Sequence, residues 1–172
     1  MDRRMICPVC HADNIEGSDA CDNCGADLRS ADLPTPETPL ERRLVTEHLS
    51  DLGHRDPIML PATAPVREAI AAMQAAGVGS VLVTRDGRLV GIFTERDALL
   101  KVAGATQGTM DAPVGELMTA DPVVLREDDS IAVAIHKMAV GGFRHIPLTR
   151  EGHPTGIVSA RDVFGHILEI IG

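Results

Sequence analysis

The four cysteines of this 172-residue chain all lie within its first 24 residues, in two Cys-x-x-Cys pairs separated by ten residues. The first pair is Cys7 and Cys10, and the second is Cys21 and Cys24. Four thiolates at this spacing are the donor set of a tetrahedral zinc site, and four protein ligands leave no position for a catalytic water. We therefore predict a structural zinc site in residues 1–28, a segment too short to fold without such a staple.

Two disulfides or a redox dithiol are the alternatives. The N-terminus carries no apolar signal region, which predicts a cytoplasmic protein whose thiols stay reduced. A redox Cys-x-x-Cys is expected in a βαβ context, and the sequence around the cysteines has none. Residues 7–28 resemble the short zinc-ribbon family in their Cys-Pro start, Asn14, Gly17 and Cys-x-x-Cys-Gly-x-x-Leu close. His11 stands where that family has glycine, and we expect it at the surface.

The remainder of the chain contains an internal repeat. Residues 55–102 and 120–167 align without a gap and share 14 identities, among them the pairs Gly91/Gly156 and Asp97/Asp162. Two copies are too few for a solenoid, so we predict a pseudo-symmetric pair with a common core.

Each copy is predicted to run β-α-β-β-α. Extended segments at residues 58–60 and 123–125 come first, followed by helices that end at Gly77 and Gly142. Asp86-Gly87 and Glu151-Gly152 then mark hairpin turns. The predicted fold is α/β (α+β), with two such repeats sharing one core after a small zinc ribbon. The predicted domains are the ribbon (1–28), a linker (29–38), a connecting helix (39–53), repeat 1 (54–107) and repeat 2 (108–172).

The last helix of each copy follows a strand and begins with a hydroxyl residue that has a carboxylate three positions on: Thr94 with Asp97, and Ser159 with Asp162. This pattern is typical of a capping box. It is equally suited to a nucleotide, because a helix N-terminus attracts phosphate and a carboxylate can accept both ribose hydroxyls. The two readings are compatible, since a cap can exchange its backbone partner for a ligand.

Composition and charge restrict the class of partner. The chain has three Phe and no Trp or Tyr, so it lacks stacking platforms for single-stranded nucleic acid. Its net charge is −9, and residues 1–28 hold two arginines against six acidic residues, which argues against nucleic-acid binding. No apolar run is long enough to span a membrane. No catalytic motif is present, and we predict that the protein is not an enzyme.

Residues from about 49 to 172 resemble a tandem pair of CBS domains, the Bateman module. The resemblance is carried by the Asp-Pro start of each copy, the Gly-Ile-x-Thr/Ser-x-Arg-Asp element, and Arg144-His145-Ile146-Pro147. It implies adenosine ligands (AMP, ADP, ATP or S-adenosylmethionine) in clefts between the repeats, and a homodimer.

The resemblance also implies roles for individual residues. Asp97 and Asp162 would bind ribose; Thr94 and Ser159 would hold phosphate; Ile58, Val81, Val123 and Ile146 would line the adenine; Arg96, Arg144 or Arg161 would neutralise phosphate charge. His145 would contact the ligand or pack at a strand end. Copy 1 has Ser-Val-Leu where copy 2 has His-Ile-Pro, which predicts unequal clefts.

The predicted function is that of a nucleotide-sensing regulator that docks to an unidentified client protein. The alternatives are a nucleic-acid-linked regulator acting through the ribbon, and a dimerisation scaffold whose clefts stay empty.

Overall fold

The structure, a computed structural model, describes residues 4–15, 17–29, 36–53, 56–102 and 108–172. These residues form eight strands and six α-helices. The strands are β1 (Arg4–Ile6), β2 (Asp13–Ile15), β3 (Met59–Pro61), β4 (Ser80–Arg85), β5 (Arg88–Thr94), β6 (Thr119–Ala120), β7 (His145–Arg150) and β8 (His153–Ser159). The α-helices are α1 (Pro39–Thr46), α2 (Val66–Ala76), α3 (Glu95–Asp97), α4 (Val114–Leu117), α5 (Ile131–Gly141) and α6 (Ala160–Ile171). Short 3₁₀ helices lie at Leu49–Leu52 and Thr109–Asp111, and Ala98–Val102 is π-helical.

The chain divides into two compact units. Unit 1 comprises Met1–Leu52, Asp128–Arg144 and Ala160–Gly172, and unit 2 comprises Gly53–Glu127 and His145–Ser159. Unit 2 therefore contains the whole first repeat together with the hairpin of the second. Unit 1 contains the cysteines, α1 and the two helices of the second repeat.

Unit 2 is built on a four-stranded sheet in the order β3-β4-β5-β6 and a separate β7-β8 hairpin. Strand β3 is parallel to β4, and the other pairs are antiparallel. The apolar faces of β4 and β5 pack against α2 and the start of α4. The core of this packing holds Val66, Ala69, Val81, Val83, Phe93 and Val114. Because the chain has so few aromatic residues, Phe93 is the only aromatic side chain among the core residues described in this cluster.

The two hairpins have the same register irregularity at positions that the sequence repeat aligns with each other. In β4-β5 the register shifts between Val83 and Thr84, and in β7-β8 it shifts between Leu148 and Thr149. All four turn residues have positive φ, from 51° at Asp86 to 83° at Gly152. Positive φ at both central positions matches the right-handed twist of the strands, so both predicted hairpin turns are confirmed.

In unit 1 the connecting helix is shorter than predicted. Helix α1 begins at residue 39, as expected, and the structure shows Thr38 in a capping box with Glu41 and Pro39 in the first turn. However, it ends at Thr46, and the predicted single helix to residue 52 is wrong. Glu47 is extended because its carbonyl accepts from the Ile131 N–H (3.1 Å), and the Leu49 N–H donates to the Asp129 carbonyl (2.9 Å). These bonds to the start of α5 replace the helical ones.

The second repeat also departs from its expected opening strand. At residues 123–125 the structure has an isolated parallel bridge between Leu125 and Leu148 instead of a strand. Strand β6 precedes it and pairs with β5 at Gly91 and Ile92. Most of the predicted linker (residues 30–35) and the predicted repeat boundaries at residues 54 and 107 lie outside the described residues. Among the helices that the structure describes, none has the length and apolarity needed to cross a membrane.

Candidate functional site

The four cysteine sulfurs converge in unit 1. All four Sγ atoms lie within 4.8 Å of one another. The Cys7 and Cys24 sulfurs are 3.8 Å apart, and those of Cys10 and Cys21 are 3.5 Å apart. These separations are too long for a disulfide, and they are close to the roughly 3.8 Å edge of a sulfur tetrahedron around an ion with 2.3 Å bonds. The donor set and its size therefore fit a metal ion.

Each Cys-x-x-Cys pair lies on a turn of the same design. The N–H of His11 donates to the Cys7 carbonyl (2.9 Å), and the N–H of Gly25 donates to the Cys21 carbonyl (2.8 Å). His11 has φ 59° and Gly25 has φ 70°. His11 therefore adopts the left-handed conformation that glycine adopts without strain. Its side chain is exposed, as predicted.

Asn14 connects the two turns. Its side-chain N–H donates to the Ala12 carbonyl (2.9 Å) and to the Cys21 sulfur (3.6 Å), and its Oδ1 accepts from the Asp22 N–H (3.0 Å). The backbone N–H of Cys24 is the main cause that lowers the pKa of the Cys21 thiol, to about 6. A thiolate is the form that ligates a metal, and the surroundings of Cys21 favour that form of its side chain.

The segment that carries the cysteines, residues 4–29, is hereafter the cysteine module, and two largely buried cations hold it on α5. The Lys137 ammonium donates to the Gly17 carbonyl (2.7 Å) and pairs with Asp19 (2.6 Å). The Arg29 guanidinium pairs with Asp129 at 2.6 Å, and that carboxylate is only 7% exposed. Both contacts lie within unit 1, so the module packs on the first helix of the second repeat.

The junction of β5 and α3 holds the first predicted ribose carboxylate. Asp97 is buried and forms both halves of a capping box with Thr94, so the capping-box reading is confirmed for this repeat. Its Oδ2 accepts from the Thr94 N–H (3.0 Å) and hydroxyl (2.8 Å). Its Oδ1 accepts from the Lys101 ammonium (2.7 Å) and the Thr119 hydroxyl (3.2 Å).

Two opposing effects set the charge of this carboxylate. Burial by itself raises the pKa of Asp97, but hydrogen bonds from Lys101 and Thr94 outweigh burial and lower the pKa below its ordinary value. Asp97 is therefore ionised at neutral pH.

The predicted adenine-lining residues of unit 2 lie in its strands or in the segments just before them. Ile58 directly precedes β3, and its carbonyl accepts from the Leu82 N–H (2.8 Å) of β4. Val81 and Ile146 are fully buried in β4 and β7. Val123 lies two residues before the bridge at Leu125, and it is 40% exposed.

His145 begins β7 and faces the backbone of Gly79. A Cβ atom at Gly79 would lie 3.1 Å from the His145 ring and 3.3 Å from the carboxylate of Glu95. The absence of a side chain at Gly79 therefore leaves room for both groups beside the start of α3, where the carbonyl of Gly79 accepts from the Glu95 N–H (3.0 Å).

The remaining predicted residues lie at the helix starts. Ser159 is the last residue of β8, and Asp162 lies in the first turn of α6. Arg144 is exposed, and its carbonyl accepts from the Ala160 N–H (2.9 Å). Arg96 and Arg161 each lie two residues after the hydroxyl residue of their own repeat and are exposed.

Sequence reasoning missed Lys101, Thr119 and Lys137. Lys101 has a detectable signal, since it is four residues after Asp97, the spacing of a helical ion pair. Thr119 and Lys137 have none, because their partners are 22 and 118 residues away along the chain.

The comparisons with known proteins identify the family. The CBS domain model matches residues 49–104 and 114–169. The chain therefore belongs to the CBS-domain family, with two copies in tandem.

Individual relatives agree with this membership. The 17.7 kDa protein from the bps2 3'region of Acidianus ambivalens is 36% identical over 107 residues, which are 61% of this chain and 63% of that protein. The chain spans only 18% of two CBS domain-containing proteins of Arabidopsis thaliana.

Solved structures share the fold. The CBS-domain containing protein ATU1752 from Agrobacterium tumefaciens is 31% identical with a TM-score of 0.65, over 70% of this chain and 98% of that one. The CBS domain protein PAE2072 from Pyrobaculum aerophilum, solved in complex with AMP, is 27% identical with a TM-score of 0.63, over 72% and 99%.

The lowered pKa of Asp97 predicts a pH-dependent contribution to stability. We expect Asp97→Asn to reduce the free energy of unfolding at pH 7 by about 1–3 kcal/mol, because the substitution removes charged hydrogen bonds from a buried group. Since the folded pKa lies below the unfolded one, this contribution is complete above the usual value of 3.8 and is lost as the pH falls through the folded pKa. Urea denaturation across a pH series measures it. Asp86→Asn, in an exposed turn, is the control. A difference in unfolding free energy between the wild type and Asp97→Asn that stays the same at every pH contradicts the prediction.

Proposed function

We propose that this protein is a regulatory module that binds an adenosine nucleotide and signals by docking to a partner protein. The observation that carries the proposal is the hydroxyl-x-x-Asp element at the strand-to-helix junction of both CBS repeats, in a chain similar over 72% of its length to a CBS protein solved with AMP. CBS-domain relatives support a regulatory role rather than a catalytic one.

In this proposal each repeat supplies one set of ligand contacts. Asp97 and Asp162 accept the ribose hydroxyls, and Thr94 and Ser159 hold phosphate. The apolar positions before and within the strands line the adenine: Ile58, Val81, Val123 and Ile146. The full burial of Val81 and Ile146 supports that role, since an adenine needs a dry apolar surface.

Arginine and histidine side chains complete the proposed site. Arg96, Arg144 and Arg161 are exposed near the helix starts and can approach phosphate without displacing core residues. His145 packs over Gly79, next to the start of α3, so a ligand phosphate bound there would meet its ring.

Isothermal titration with AMP tests the nucleotide proposal. We expect the wild type to bind, and Asp97→Ala and Asp162→Ala each to weaken one site roughly tenfold or more, because charged hydrogen bonds to the ribose are lost. ATP and S-adenosylmethionine are titrated in parallel to identify the preferred ligand. Asp86→Asn serves as the matched control. Unchanged affinity in the double variant would contradict the proposed roles.

We further propose that the cysteine module is a zinc ribbon with a structural zinc ion. Four cysteine ligands close the coordination sphere, so the ion would supply stability and no reactive water. The ion would hold the two turns together, and the module that they belong to carries the partners of Lys137 (Gly17 and Asp19) and of Asp129 (Arg29). Metal binding would therefore support α5 as well as the module itself.

Metal analysis tests the zinc proposal. We expect one zinc per chain, and its removal by a chelator under reducing conditions to lower the free energy of unfolding by about 3 kcal/mol or more. Hydrogen exchange in α5 should accelerate on removal, since Lys137 and Asp129 then lose their partners in the module. Cys24→Ser should reproduce both effects. Metal-free protein whose mass shows two disulfides would instead support the disulfide alternative.

The homodimer that the CBS resemblance implies has a suitable surface on α6. Phe164, Leu168 and Ile171 recur at helical spacing and are 60%, 48% and 62% exposed. Leu99, which aligns with Phe164 in the sequence repeat, is likewise 69% exposed. Large apolar side chains exposed in a row are typical of an interface, and we propose that a second copy of the chain covers this row.

Analytical ultracentrifugation tests the dimer. We expect Phe164→Glu to shift the wild-type dimer towards monomer by at least roughly tenfold in dissociation constant, because the interface would bury an unpaired charge. Gln74→Glu adds the same charge at an exposed position of α2 and should leave the association unchanged. A wild type that sediments as a monomer at all concentrations would contradict the proposal.

A further inference from the structure

The Asp97 carboxylate is saturated with hydrogen bonds from the protein. A carboxylate offers about four acceptor positions on its two oxygens. In this structure Oδ2 accepts two hydrogen bonds, from the N–H and the hydroxyl of Thr94, and Oδ1 accepts two more, from the Lys101 ammonium and the Thr119 hydroxyl. Two ribose hydroxyls can therefore bind Asp97 only if some of these donors leave.

Lys101 and Thr119 are the donors that can leave at least cost. The two Thr94 bonds belong to the capping box, which fixes the start of the helix. The Lys101 side chain, by contrast, is 41% exposed, so water can solvate its ammonium once it is released. Thr119 lies in the short strand β6 and is exposed as well.

The same ammonium also ties Asp97 to the residues at the end of α4. Lys101 Nζ donates to the Leu117 carbonyl (2.7 Å) and more weakly to the Met118 carbonyl (3.4 Å). Leu117 ends α4 and Thr119 begins β6. Residues 117–119 are therefore bound to the carboxylate twice, through Lys101 and directly through the Thr119 hydroxyl.

The second repeat has a different residue at the position of Lys101. The repeat alignment places His166 there, and its Nε2 lies 2.6 Å from the Glu47 carboxylate, just after α1. The chain has only one other lysine, Lys137, which binds the cysteine module. The ion pair between a lysine and the proposed ribose-binding aspartate, Lys101 with Asp97, is therefore a feature of the first repeat.

We propose that Lys101 is a latch, a side chain that holds residues 117–119 to Asp97 and competes with the nucleotide ribose for that carboxylate. This inference rests on the proposed nucleotide site. It makes occupancy of the first-repeat site release residues 117–119 from Asp97.

Titration of variants that isolate the first-repeat site tests the latch. In an Asp162→Ala background, calorimetry with AMP reports that site. We expect Lys101→Met to tighten AMP binding roughly tenfold or more, because a charged hydrogen bond no longer has to be broken. Thr119→Val removes the other donor and should tighten it by a smaller factor. Arg85→Met removes one positive charge from an exposed position on β4 and should not tighten it.

A second measurement follows the release of residues 117–119. Hydrogen exchange of a peptide that includes residues 117–120 should accelerate when AMP binds the Asp162→Ala protein, and should already be fast in Lys101→Met without AMP. AMP binding that is unchanged or weakened by Lys101→Met, in a protein that otherwise binds AMP, overturns the latch alone. Failure of the wild type and all variants to bind any adenosine nucleotide overturns the proposed function and the latch with it.

Discussion

A buried charge must have its hydrogen bonds satisfied inside the protein, and this constraint organises both units. Asp97 is 6% exposed, and removing an ion from water costs several kcal/mol unless donors replace the water. Four donors from Thr94, Lys101 and Thr119 do so. Because they come from β5, the π-helical turn and β6, one carboxylate joins three elements, in addition to the backbone pairing of β5 with β6.

The same constraint explains how the cysteine module becomes part of the second repeat. Asp129 is 7% exposed, and its carboxylate pairs with Arg29, while the Lys137 ammonium finds its partners in the module. If the module unfolded, the charge before α5 and the charge within it would both lose these partners. The stability of the cysteine module and that of α5 are therefore coupled by these ion pairs and hydrogen bonds.

Much of the site could be predicted because its determinants are local. The capping box of Thr94 and Asp97 spans four residues, and the hairpin turns depend on backbone conformations that Asp-Gly and Glu-Gly sequences favour. The convergence of the cysteines follows from two short turns. Other features could not be predicted. Helix α1 ends early because Glu47 and Leu49 bond to the start of α5, far away along the chain, and residues 123–125 keep one bridge where the repeat suggested a strand.

The sequence by itself determined the helix-hairpin-helix order common to the two repeats, the hairpin turns, the paired cysteines and the positions of the two candidate ribose carboxylates, because spacing and local propensity encode all of these. Only the tertiary structure decided that Asp97 is bound by Thr119 and by a lysine tied to the Leu117 carbonyl, and that the cysteine module packs on α5. These contacts join residues up to 120 positions apart, and their energies depend on burial, which a linear pattern does not specify.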